Sequence, residues 1–501
     1  MRRVWLLAFL GYLLLGSAWA AGVPVNGTYD EIQHIPRAYS VVTGQLVLDG
    51  YHVEAPASLL PHNDYLTCLD QKRLAASCQT PPPAAGTAAG DATVKVYSAA
   101  ARYSPVYYAV VGLPLLVSPD LDGIIAARVL SAALSAALLA TALAIAWRLR
   151  NRYLVGGLLL VSTPMMMNLA GSVNPNGLEI AAGVLAWVSL LAIVRGEGAP
   201  GRLLLWSAGV SGALLLTVRH LGPVLLGIIV LACLVFAKRG RIRELLRNNG
   251  FRWLLGGLAI AALLGALWMV VSSVNTLPDD TKRAAHLSLS QTVEQIVRIR
   301  TPFYLNQVVG QFSYGELTLP GWAILGWYAF VAALAIPAFL YAGRRYQLAW
   351  LGTAAACFAV LAALELYFVP KVGWYSHGRY AMPAGLGLVI LAAFTKGLPG
   401  DLAVRFTRMV ALVTGLLHIY AVMEVTLRYR EQVTSMPSPA YAFCAGTAGV
   451  LLLGAVAWIG VTGTGVARIG GSSQPTPTRR DPDTPNNVGR SSEDEAGAVA
   501  H

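Results

Sequence analysis

Long apolar runs, separated by short clusters of arginine and lysine, constrain this chain more than any other feature. A run of roughly 20 apolar residues can cross a bilayer as a helix. In hydrocarbon every backbone N–H and C=O needs a partner within the protein, so spanning segments are helices or closed barrels. The first run is Val4 to Gly22. The others lie near 122–147, 154–171, 178–194, 203–218, 221–237, 253–274, 321–341, 348–368, 380–395, 409–427 and 440–461. They predict an all-α membrane protein with about 12 transmembrane helices, within a range of 11–13. Composition agrees: 56% of residues are hydrophobic and 12% charged, where soluble domains carry about 25% charged.

The formal net charge of +12 does not point to nucleic acid, because the basic residues lie between apolar runs and not along one face. Arg2 and Arg3, Arg148 to Arg152, Arg195 and Arg202, the cluster from Lys238 to Arg252, Arg344 and Arg345, and Lys396 to Arg408 fall on one side. The opposite short loops hold fewer cations. The excess of positive charge in cytoplasmic loops then predicts both termini inside and the segments 23–120 and 275–320 outside. Residues 1–461 are expected as one transmembrane domain. Residues 462–501, rich in Gly, Ser, Pro, Thr and charge, are expected as a disordered cytoplasmic tail. The first run, with Ala18-Trp19-Ala20 at its end, also fits a signal peptide, but we read it as a retained helix. Tyr103 to Ser118, aromatic and bounded by prolines, reads as an interfacial or re-entrant helix.

The chemistry-bearing residues gather in the outward segments. Directly after the first run stands Thr28-Tyr29-Asp30-Glu31-Ile32-Gln33-His34. In a helix Asp30 and His34 share a face, and Glu31 neighbours His34. Two carboxylates fixed just outside a bilayer can perform acid–base work on a lipid-anchored substrate. Thr28 and Glu31 also fit a capping box, so Glu31 is expected as a cap and Asp30 as the chemical residue. Before the span near 380 the chain reads Lys371-Val-Gly-Trp-Tyr-Ser-His377-Gly-Arg379-Tyr380. Arginine can hold a phosphate through two parallel hydrogen bonds, while Trp and Tyr populate membrane interfaces in any case. Arg219, at an outward turn, is a second candidate phosphate ligand. Glu316 fits equally a substrate contact or a solvated loop acid. Arg128 and Glu365 lie near outer span ends, and Arg128 reads as a residue that snorkels to the surface. The Asn174-Pro175-Asn176-Gly177 turn reads as structural. Cys68 and Cys78 share the first outward loop and are expected to form a disulfide, while Cys233, Cys357 and Cys444 read as core residues. No Walker loop, dinucleotide fingerprint or HExxH motif is present.

Five motifs occur in order: Tyr29-Asp30-Glu31-x-x-His34; Tyr103-Ser104-Pro105-x-x-Tyr108; Thr163-Pro164-Met165 with Asn174-Pro175; Phe312-x-x-Gly315 with Pro320; and Gly378-Arg379-Tyr380-x-x-Pro383. Together they resemble a bacterial multispan family of unassigned function that is grouped with the GT-C glycosyltransferase superfamily. The likeness covers roughly residues 1–430. It departs at His377, where the family commonly carries glutamine, and at Leu317, where aspartate is common. The resemblance implies a GT-C-like fold and a plasma-membrane enzyme that moves a sugar from a polyprenyl-phosphate donor to a cell-envelope glycan or lipid acceptor outside. It implies Asp30, with Glu31 beside it, as base or acceptor-positioning acid. His34, Arg219, Glu316, Lys371, His377, Arg379 and Tyr380 are then substrate-binding candidates. No cofactor is required by this chemistry, although Asp30 and Glu31 could also ligate a divalent metal. The alternative reading is a transporter or flippase of a lipid-linked glycan. Transporters tend to carry internal repeats and midplane charges, and here the charges gather at the outer surface.

Overall fold

The computed structural model describes residues 1–48, 50–63, 74–272, 285–395, 400–433, 436 and 438–459. Eight helices are long and apolar enough to cross a membrane: Arg2–Gly22 (α1), Leu121–Arg148, Pro175–Arg195, Asn249–Val271, Gly321–Tyr341, Arg344–Val372, Leu402–Arg430 and Pro439–Ile459. A ninth span is broken. Arg152–Val161 and Pro164–Ala170 meet at a 67° bend. Three shorter apolar stretches, Arg202–Thr217, Gly222–Leu234 and Gly378–Ala393, fill the remaining places. Every apolar run therefore holds helix, but four of the twelve are short or broken. The tail over 462–501 lies outside the described residues.

The breaks have a local cause. Ser104, Thr163 and Asn174 each precede a proline, and each side-chain oxygen accepts a backbone N–H from the first turn that follows, from Val106, Met166 and Asn176. Such caps satisfy donors that a helix start leaves open, and proline at the first position has no N–H to strand. New helices therefore begin at Pro105, Pro164 and Pro175 within otherwise apolar sequence.

Pro175–Arg195 is the central helix, with 94% of its apolar window buried, against 6% for Asn249–Val271 at the rim. The central helix packs on Leu121–Arg148, Arg202–Thr217, Gly222–Leu234 and Gly378–Gly385. Its approach to the last of these is close enough that a Cβ on Gly183 would sit 2.4 Å from the Pro383 carbonyl oxygen. Any larger residue would push the helix carrying Arg379 away from the centre. Helix α1 packs between Leu121–Arg148 and Pro439–Ile459.

The segment expected to lie outside after α1 holds secondary structure among the described residues. It carries helix α2 (Glu31–Val42), an antiparallel pair of His52–Pro56 with Thr93–Tyr97, and two short helices, Pro105–Val111 and Leu113–Val117. The last two occupy the stretch expected as a re-entrant element. Cys78 is disulfide-bonded, and Cys68, its expected partner, lies outside the described residues. Cys233 and Cys357 are buried and free as expected, but Cys444 is exposed and free, since it lies on the outer face of Pro439–Ile459.

Candidate functional site

Asp30 occupies the N-cap of α2 in the left-handed region, with φ 58° and ψ 6°. For a residue other than glycine this conformation costs on the order of 1–3 kcal/mol, and such strain concentrates where a side chain must be aimed. The expected capping box does not form. Asp30 is the cap, so Glu31 opens the helix, and the Thr28 hydroxyl instead accepts from Asn168 Nδ2 at 3.2 Å. The Asp30 carboxylate is 38% exposed and pairs with Nη2 of Arg379, whose side chain is fully buried. A reachable acid thus stands on a covered guanidinium.

Glu31 points elsewhere. Its carboxylate is fully buried and takes Nε of Arg128 at 2.7 Å, Nη2 of Arg128 at 2.5 Å and the Val173 N–H at 2.9 Å. Arg128 does not snorkel. It is 2% exposed, and its remaining hydrogen bonds go to the carbonyls of Ala20 (2.8 Å), Val23 (2.7 Å) and Pro24 (3.0 Å). All five guanidinium N–H groups are used. Arg128 therefore ties the end of α1 and the start of α2 to the helix Leu121–Arg148. The acid expected to share the chemistry is committed to structure. Asp30 and Glu31 diverge onto different arginines and do not fit a shared divalent metal. Among the described residues no group of three His, Cys, Asp or Glu side chains is arranged to hold one.

Arg379 is the focus of the arrangement. It sits in the first turn of Gly378–Gly385, with its guanidinium carbon 4.2 Å from the centre of the Tyr29 ring and 5.2 Å from that of Tyr380. Among the described residues its Nε and Nη1, both buried, have no hydrogen-bond partner. Unpaired charged donors are costly, and an anion is the chemistry that would satisfy them. Arg219 also lies against Tyr380, its guanidinium carbon 4.8 Å from the centre of the same ring. Its Nη1 donates to Glu179 Oε2 at 2.9 Å and Asn176 Oδ1 at 2.5 Å. Arg219 Nε, Glu179 Oε1 and His220 Nε2 are also buried without partners among the described residues.

His34 does not work with Asp30 through its ring. Its Nδ1 shares a 2.7 Å hydrogen bond with the Tyr108 hydroxyl, and the ring is buried. Burial first, then the charges of Arg219 and Arg379, hold this imidazole well below its ordinary pKa. His377 lies beside Tyr29, with ring centres 5.2 Å apart, and burial and the same arginines depress it well below the ordinary value too. Burial pushes the Tyr29 hydroxyl up to about 12, against the lowering effect of Arg379. Glu365 anchors the floor near His377. It accepts from Arg300 Nε (2.9 Å), the Tyr304 hydroxyl (2.8 Å), the Ser376 hydroxyl (2.8 Å) and the Tyr375 N–H (2.9 Å).

Two candidates stand away from this cluster. Lys371 is exposed and rests its ammonium 3.3 Å from the centre of the Tyr367 ring. Glu316 accepts from the Ser313 hydroxyl at 2.8 Å and lines a different cavity of about 360 Å³, with Glu424, Arg428 and Glu431. Sequence reading passed over Glu179, Arg300 and Gln307. An acid inside an apolar run was a readable signal for Glu179. Gln307, in a mixed polar stretch, gave none.

A family model described as "Predicted membrane protein (DUF2142)" matches residues 13–388, a range that contains every group of the cluster just described. Two crystal structures of ArnT from Cupriavidus metallidurans resemble the chain. The one bound to undecaprenyl phosphate has a TM-score of 0.41 at 14% identity, over 89% of this chain and 75% of that one. The apo state has a TM-score of 0.42 at 13% identity, over 88% and 75%. No curated protein matches the chain in sequence.

Proposed function

The chain belongs to the DUF2142 family of membrane proteins, and from that premise we propose that it is a glycosyltransferase of a bacterial cytoplasmic membrane. It moves a sugar from a polyprenyl-phosphate donor to a cell-envelope glycan or lipid acceptor on the extracytoplasmic side. One observation carries the reading: a reachable carboxylate, Asp30, pairs with a buried arginine, Arg379, that keeps two further nitrogens unpartnered. An acid for the acceptor and cationic donors for the phosphate then lie in one place. The ordered motifs that resemble the GT-C superfamily supply the reaction class.

In the proposed reaction the acceptor hydroxyl gives its proton to the Asp30 carboxylate. Its oxygen bonds to the anomeric carbon as the bond from that carbon to the phosphate oxygen breaks. Polyprenyl phosphate leaves with the electron pair. Arg379 can hold Asp30 with Nη2 while Nε and Nη1 meet the charge that grows on the phosphate, where stabilisation lowers the barrier. Arg219, which also lies against Tyr380, is the second cation proposed for the phosphate. Glu31 serves in this scheme by fixing α2 through Arg128. No step passes through a metal.

The test is transfer of a radiolabelled sugar from polyprenyl phosphate in purified membranes. Asp30→Asn keeps the size of the side chain and removes proton acceptance. Turnover is expected to fall by roughly 10²–10⁴, the usual worth of a general base, while donor-lipid binding survives. Near wild-type turnover in Asp30→Asn would remove the catalytic assignment.

A further inference from the structure

The backbone at Gly378 sets the polarity of a hydrogen-bond chain that ends in the site. Its N–H donates to Gln307 Oε1 at 2.7 Å. A Cβ at this position would lie 2.2 Å from the Tyr304 carbonyl oxygen, so glycine is what allows the approach. A backbone N–H can only donate, which turns the amide oxygen of Gln307 toward Gly378 and its NH₂ group the other way. That amide is fully buried. One of its N–H groups goes to the Tyr29 hydroxyl at 2.9 Å and the other to His377 Nδ1 at 3.1 Å. A ring nitrogen that accepts carries no proton, so in a neutral ring the proton resides on Nε2. Among the described residues Nε2 has no hydrogen-bond partner. The ring lies between Tyr29 and Tyr380, with centres 5.2 and 5.3 Å away, and under the charges of Arg379, Arg300 and Arg219. Three cations oppose a second proton on the imidazole.

We infer that Gln307 is a positioning residue that holds His377 as the neutral Nε2–H tautomer, and that His377 donates this N–H to an anionic oxygen of a ligand bound at Arg379. The inference rests on the proposed function only for the identity of that ligand, a lipid phosphate. A neutral donor suits a place beside three arginines, because it adds a hydrogen bond to the anion without adding further like charge to be compensated. It also leaves Asp30 as the proton acceptor, since an imidazole aimed through N–H cannot accept there.

Nitrogen-15 NMR of full-length protein labelled at histidine, in lipid nanodiscs, tests the tautomer, with His377→Gln assigning the resonance. At pH 7 the expected spectrum has an unprotonated Nδ1 and a protonated Nε2, with no titration near the ordinary value of about 6.5. In Gln307→Glu the carboxylate has no N–H to offer, so Nδ1 is expected to gain the proton. Protonated Nδ1 in the wild type, or an unchanged tautomer in Gln307→Glu, overturns the lock. Should that variant fail to fold, the wild-type spectrum decides alone. Polyprenyl phosphate is then added. It is expected to shift the Nε2 resonance and to bind roughly tenfold more weakly to His377→Ala, the worth of one hydrogen bond to a charged group. His377→Gln, which keeps a neutral N–H, should recover most of that loss. Lipid that binds while Nε2 stays unmoved overturns the donor role. Failure of the lipid to bind at all removes the donor role and the phosphate reading together, while the ligand-free spectrum still decides the tautomer.

Discussion

Arg379 differs from Arg128 in how its nitrogens are used. Arg128 spends every N–H on protein oxygens, whereas Arg379 spends one nitrogen on Asp30 and leaves two idle. Arg379→Ala is therefore expected to weaken donor-lipid binding and to slow transfer. Arg379→Lys should rescue only part of both losses, because an ammonium cannot span Asp30 and a phosphate in one plane. Separate KM and kcat values from the transfer assay check this, and full activity in Arg379→Lys would refute it. The histidines give a second expectation. His34 and His377 are held well below their ordinary value and His220 is lowered to about 4, in each case chiefly by burial. Below about pH 6.5 the unfolded chain binds protons that the native state refuses. The stability tied to these neutral rings is thus complete above pH 6.5 and is lost as pH falls toward 4. A thermal-unfolding series in detergent from pH 7.5 to 4.5 should show a declining midpoint, and a flat one would contradict these shifts.

At the scale of elements, among the described residues four ion pairs with at least one buried partner join segments distant in sequence: Glu31 with Arg128, Asp30 with Arg379, Glu179 with Arg219, and Glu365 with Arg300. Each partner comes from a different helix or turn, so the pairs fasten the helix ends around the site. Removing one partner of a buried pair costs about 3–5 kcal/mol because the other charge is stranded. Glu31→Gln should destabilise by about that amount, as measured by unfolding in detergent. Adding Arg128→Met should not restore stability, although paired replacements often do, because Arg128 also serves the carbonyls of Ala20, Val23 and Pro24. Full recovery in the double variant would refute this account of the clasp. Sequence reading took Arg128 for a snorkelling residue because depth in a bundle is not written along the chain. The same limit hid Gln307, whose role depends on Gly378 arriving from 71 residues away. Asp30 drew notice because an acid directly after the first apolar run has few structural reasons to be there; its chemical role is part of the proposed function.

At the scale of the whole molecule the apolar runs were readable one by one, since a bilayer enforces length and composition together. Which of them shorten was not, because that depended on caps such as Thr163 and Asn174 that read locally as turns. Sidedness remains an expectation from the basic loops. Reporter fusions at residues 60 and 300 should report outside, and fusions at 245 and 480 inside. A cytoplasmic signal from residue 60 would place Asp30 on the wrong side for the proposed reaction. Peptide mass spectrometry without reduction should find Cys78 joined to Cys68, and recovery of both as free thiols would end that pairing.

The pairing of Asp30 with Arg379 also has a history within each molecule made. The two residues are separated by 349 positions, so at roughly 5–20 residues per second their emergence from the ribosome differs by on the order of 20–70 s. Throughout that interval the nascent chain carries Asp30 beside the bilayer without its cation, while Glu31 can already find Arg128, 97 positions on. Assembly therefore has an order: the clasp at the root of α2 can close early, and the Asp30–Arg379 pair is completed only after most of the chain has been inserted. A chain stalled in synthesis before Gly378 would lack Arg379 and so, under the proposed function, could not act on a lipid donor.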